Sequence, residues 1–143
     1  MTDNDLFYVC SLIEYVGRKT KNKRGAIVSA LGEEGIAKQL HDASVNHSLP
    51  FELVASEIIR DYGIVDGDFD TISGLKYTLP GFQDIGKLYA ILVEMMESGE
   101  KLSRKIHRLF SSFLSDEISH FETDLYYQNP SYLFWSFQAG NLL

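Results

Sequence analysis

The chain has 143 residues, 45% of them apolar and 23% charged, which is the make-up of an ordinary folded domain rather than of a disordered or low-complexity segment. That length supports one domain, residues 1–143, with a hydrophobic core that needs no disulfide or metal to hold it. A net charge of −7 argues against a general nucleic-acid binder, because gripping a phosphate backbone depends on clustered cations that release counterions.

The N-terminal stretch Met1-Thr2-Asp3-Asn4-Asp5 is acidic where a secretory signal is basic. No apolar run approaches the ~18 residues of a membrane span. A cytoplasmic protein is the expectation. Asp3 or Asn4 is placed to cap a first helix running to about Val16, with Leu6, Val9, Cys10, Ile13 and Val16 on one face and Gly17 at its end. Cys10 has no second cysteine to pair with, and its place in that stripe makes it a packed core thiol. Arg18, Lys19, Lys21, Lys23 and Arg24 then form a polar, solvated link.

Ala26, Ile27, Val28 and Leu31 predict a short second helix stopped by Gly32. Glu33 and Glu34 suit the positive end of a third, through Ile36, Leu40 and Ala43. Pro50 opens a fourth with the stripe Phe51, Val54, Ile58 and Tyr62, closed by Gly63. Residues 64–81 break the helical period. Asp66-Gly67 and Ser73-Gly74 signal turns, and Leu75 to Leu79 alternates with period two, so a loop with at most a short strand or hairpin is expected. Ile85, Leu88, Leu92 and Met95 or Met96 restore helical spacing, and Ala90, Ile91 and Val93 widen that face enough to predict the most buried helix of the domain. From Lys101 to about Tyr126 one long helix is expected, or two abutting ones split near Ser115-Asp116. Asn129-Pro130 begins a last helix that Gly140 ends. The architecture is mainly α, a bundle of six or seven helices.

The basic run Arg18, Lys19, Lys21, Lys23, Arg24 and the helix pair around Gly32 invite a DNA-binding reading. Glu33 and Glu34 stand where phosphate contacts would have to be, so a solvated link or a docking patch for an acidic partner is the better one. Lys101, Arg104, Lys105 and Arg108 read as the exposed face of an amphipathic helix. Counted from Asp66 as a calcium loop, the sixth position is Thr71 rather than glycine and the twelfth Tyr77 rather than glutamate, so Asp66, Asp68 and Asp70 read as a carboxylate-rich turn. Nor is there a buried strand long enough before them for a phosphatase aspartate pair. Glu117 and His120 make one Glu-x-x-His step where a di-iron bundle needs two. Arg104 and His107 are too close in sequence for a helical ribonuclease toxin, and His41 and His47 flank a turn. No nucleotide-binding, zinc-protease or hydrolase motif occurs, and no cofactor is expected.

Phe121, Tyr126, Tyr127, Tyr132, Phe134, Trp135 and Phe137 crowd one short segment, more rings than a single buried helix face accommodates. Tyr126, Tyr127, Tyr132, Phe134, Trp135 and Phe137 are therefore expected to supply either the closing helix of the core or an interface with another protein or a second copy. The order Phe7-Tyr8-Val9-Cys10-Ser11-Leu12-Ile13-Glu14-Tyr15, then Val45-Asn46-His47 before Phe51-Glu52 and Glu57-Ile58-Ile59, resembles small bacterial helical domains of uncharacterised function whose genes neighbour those of ADP-ribosyltransferase-like toxins. The resemblance spans roughly the first 65 residues and implies an antitoxin or accessory role, with no active-site residues to carry over. The leading expectation is a non-enzymatic protein-binding or regulatory module, with an antitoxin as its more specific form. The alternatives are a metal-dependent enzyme with a site assembled from Asp68, Asp70, Glu117 and His120, and a DNA-binding regulator.

Overall fold

Leu6, Val9, Cys10, Ile13 and Val16 place α1 (Asp3–Thr20) at the centre of the molecule, where Tyr8 and Leu12 extend the buried surface beyond a single stripe. The computed structural model describes residues 3–143, and Met1 and Thr2, at the head of the acidic stretch, lie outside the described residues. Helix α1 is already helical at Asp3 and Asn4, so neither stands before it as a cap. Around α1 pack α2 (Arg24–Asn46), α3 (Phe51–Asp61) and α4 (Phe82–Met95). The most buried helix is thus α1 and not α4, whose outer flank leaves Ile91 and Met95 more than one-third exposed. The two meet closely at Gly86, where an added Cβ would stand 2.7 Å from the Ser11 backbone.

Gly17 does not end α1. The helix continues to Thr20 and closes in a Schellman motif, with Asn22 N–H donating to Gly17 O (3.1 Å) and Lys21 N–H to Arg18 O (3.4 Å). The αL position that glycine usually fills is Lys21, with φ 53°. At Gly32 the backbone of α2 leaves helical geometry (φ 69°, ψ 171°), and the two expected helices run on from one another with no linker. Gly63 closes α3 in a second Schellman motif, as its position after the apolar stripe predicts.

Residues 64–81 form an irregular loop with a turn at Ser73-Gly74 but none at Asp66-Gly67, and there is no strand among the described residues. The alternating Leu75–Leu79 has no neighbouring strand to pair with. This loop is instead strapped to the α1–α2 joint. Gly67 N–H donates to Thr20 O and Phe69 N–H to Lys21 O, both at 2.8 Å, while Asn22 Nδ2 donates to Val65 O.

Helices α5 (Leu102–Ser111) and α6 (Phe113–Ser119) are split at Ser112, not near Ser115-Asp116. Ser115 is fully buried and its hydroxyl meets the Tyr89 hydroxyl at 3.2 Å, so that stretch is held inside the helix. A single 3₁₀ turn (Leu125–Tyr127) leads to α7 (Pro130–Ala139), capped by the Asn129 side chain on Ser131 N–H and ended by Gly140 with φ 82°. The described residues thus make an all-α fold of seven α-helices around one core. Cys10 lies within it, and burial pushes its thiol pKa far up. No helix among the described residues is long and apolar enough to cross a membrane.

Candidate functional site

Two regions carry groups beyond what core packing uses, and the first lies at the α1–α2 joint. Glu14 and Arg24 are 0% and 1% exposed. Arg24 grips the carboxylate with both arms, Nε to Oε1 at 2.9 Å and Nη2 to Oε2 at 2.8 Å, and spends Nη1 on Asn22 O at 2.9 Å. Arg18, one turn along α1, adds Nε to Oε2 at 2.7 Å and lays its guanidinium 5.0 Å above the Phe121 ring. The Arg24 side chain reaches Glu14 because Gly17 has none, since a Cβ there would overlap Arg24 Cδ. Burial alone would raise the Glu14 pKa, but Arg24 and then Arg18 outweigh it and hold the carboxyl below its usual range.

Of the expected solvated basic link, Arg18 and Arg24 are instead turned inward, while Lys19, Lys21 and Lys23 stay exposed. Arg24 and Arg18 belong to that knot, Lys19 Nζ pairs with Glu52 at 2.6 Å, and Lys23 Nζ lies 3.5 Å from Asp116 and 5.8 Å from the Phe69 ring centre. Lys21 keeps only a 3.9 Å approach to Asp70. The signal for this arrangement was the i, i+4 spacing of Glu14 and Arg18 inside an otherwise apolar stripe. The second basic set divides as well. Arg104 and Arg108 both pair with Glu100, while Lys105 is buried.

The second region is the aromatic C-terminal quarter, which the fold splits. Phe134 is buried with Leu133, whereas its neighbour Trp135 is 59% exposed, its ring edge-on to Phe134 at 5.4 Å. Tyr132 is half-buried, with its hydroxyl donating to Leu143 O at 2.7 Å. Half-buried Phe137 lies under the Arg108 guanidinium at 5.8 Å. Tyr126 packs on Tyr127 with ring centres 4.4 Å apart and meets Phe121 edge-on at 6.0 Å. Tyr127 is 79% exposed, and across from it Tyr77 of the long loop is 69% exposed. Tyr77, Phe121, Tyr126 and Tyr127 line an open groove of about 260 Å³, to which Glu122, Thr123 and Asp124 also contribute. Tyr77 could not be assigned to this surface from sequence, because it reaches the other rings only through the fold of residues 64–81.

Among the described residues, no three His, Cys, Asp or Glu side chains gather as a metal-ligand set. Asp70 instead closes a turn on itself, its Oδ1 accepting from Ile72 N–H (3.0 Å) and Ser73 N–H (2.9 Å), and Ser73, Ile72 and then Lys21 hold its carboxyl down at about 2. His120 lies 3.5 Å from Glu122 and edge-on to Phe69, and Glu117 and Asp68 are exposed. Comparison with protein-family models, with curated proteins and with solved structures finds no match to this chain.

Proposed function

We propose that this protein is a cytoplasmic, non-enzymatic binding module that captures a cationic segment of a partner protein in the groove of Tyr77, Phe121, Tyr126 and Tyr127. The observation that carries this reading is the pairing of exposed rings with carboxylates. Tyr77 and Tyr127 present most of their surface to solvent, and Glu122 and Asp124 stand beside them in the same groove. Exposed aromatic faces next to carboxylates recognise arginine or lysine, the rings through cation–π contact and the acids through charge-assisted hydrogen bonds. Tyrosine also anchors interfaces at small entropic cost, having few rotatable bonds. The net charge of −7 speeds encounter with a basic partner. A toxin-neutralising role is the form of this reading that the resemblance of the N-terminal half supports.

The test is quantitative capture with three baits: the native chain, Tyr127→Ala, and a Glu122→Gln/Asp124→Asn double variant. The reading predicts a partner whose contact segment, mapped by cross-linking, is rich in Arg and Lys. Its affinity should drop at least ~10-fold with either variant while the fold is unchanged. A partner retained equally by all three baits, or one that touches another face, would count against it.

A further inference from the structure

A separate cavity lies at the α1–α2 joint. Arg18, Lys21 and Arg24 line a cavity of about 130 Å³ whose opposite wall is the segment Phe69, Asp70, Thr71, Ile72 and Ser73. Three observations mark it as more than a packing gap. First, Arg18 Nη2 is buried with no hydrogen-bond acceptor in the protein. A guanidinium N–H in that position is costly unless an acceptor reaches it. Second, Lys21, at the left-handed position (φ 53°) that closes α1, brings an ammonium-bearing side chain to the same cavity. Third, the facing wall is fixed in place, by Phe69 N–H on Lys21 O and by the Asp70 turn on Ile72 and Ser73.

The charge balance sets the sign of the ligand. Three cations face two carboxylates, Glu14 consumed by the two arginines and Asp70 by its own turn, which leaves one net positive charge in a chain that is acidic overall. The volume sets its size. A cavity of ~150 Å³ holds a benzene ring, so an ion as large as phosphate fits and a nucleoside does not.

We infer that this cavity binds a small oxyanion, a phosphate or phosphomonoester head group, with the Arg18 guanidinium and Lys21 Nζ as its donors, the guanidinium turning to bring its buried Nη2 to the ligand. Arg24 contributes charge and keeps Glu14 off the ligand. Asp70 Oδ2, 3.9 Å from Lys21 Nζ, is the group the anion displaces from that ammonium.

Isothermal titration calorimetry at fixed ionic strength tests this with inorganic phosphate, with a methyl phosphomonoester and with acetate. The expected result is saturable one-to-one binding of phosphate. It should weaken at least ~10-fold in Lys21→Met, whose side chain is 57% exposed and removable without unfolding the chain, and likewise in Arg18→Lys. Tighter binding of the methyl ester than of inorganic phosphate identifies an esterified head group as the natural ligand; the reverse order identifies the free ion. Acetate binding better than either phosphate, no saturable heat with either phosphate, or phosphate affinity unchanged in Lys21→Met overturns the inference.

Discussion

The two ends of this molecule reverse the usual placing of charge and rings. At the α1–α2 joint a carboxylate and a guanidinium sit in the interior, Glu14 and Arg24 being 0% and 1% exposed. At the 121–135 segment large aromatic side chains stand in solvent, Tyr127 at 79% and Trp135 at 59%. The contrast shows that residence inside or outside is settled by whether a side chain finds its complement within the chain. Glu14 has a bidentate arginine, a second arginine beside it and a glycine that clears the path, so its charge is fully answered. Tyr127 packs its ring on Tyr126 and leaves most of its surface in solvent. The four rings of Tyr8, Tyr15, Phe51 and Phe82 make the same point, since they contact one another in sequence-distant pairs where α1, α3 and α4 converge, and all four are buried or half-buried there.

The strongest way to break this contrast is Glu14→Ala, which strands Arg24 without a counter-charge. It should cost ~3–5 kcal/mol in denaturant unfolding, and a cost near zero would mean the knot is incidental. Next comes Gly17→Ala. A Cβ there drives into Arg24, and the loss should be ~1–3 kcal/mol despite the better helix propensity of alanine. In an Arg24→Met background, itself destabilised by the loss of Glu14's partner, the same Gly17→Ala change should cost less, which thermal melts of the four proteins of that cycle would show.

Acid sharpens the comparison further. The folded pKa values of Glu14 and Asp70 are lowered, so the stability these groups give is present above their ordinary values of 4.5 and 3.8 and is lost as pH falls through the folded values. Unfolding free energy should therefore stay level from neutrality to about pH 5 as far as these two groups govern it, and decline below that. Glu14→Gln should flatten the decline. The smallest effect belongs to the open rings: Tyr127→Ala and Trp135→Ala should each move stability by no more than about 0.5 kcal/mol, with any consequence appearing in partner binding.

The helices were legible where local rules decide them. Asn129-Pro130 and Gly140 bounded α7, Gly63 ended α3, and Gly32 marked the break in α2, because caps and left-handed positions are properties of a few adjacent residues. Gly17 misled for the same reason, since a glycine after an apolar stripe resembles a helix end. Its use here is to admit a side chain from residue 24, which only the tertiary fold brings close. Ser112 in place of Ser115 as the break between α5 and α6 turned on the buried contact with Tyr89. Helix α1 concealed its depth by carrying Ser11 and Glu14 among its apolar residues, which narrows the stripe a reader sees. Of the aromatic surface, Tyr126, Tyr127 and Trp135 were visible as excess rings, while Tyr77 depended on how residues 64–81 are strapped down.

The vacancy at position 17 ties two distant choices together. Any relative of this protein that carries a side chain there must have shortened or redirected residue 24, and then needs another way to answer Glu14. Glycine, arginine and glutamate at these three places should thus be inherited as a set or replaced as one, a pattern of joint substitution readable in descendants before any of them is purified.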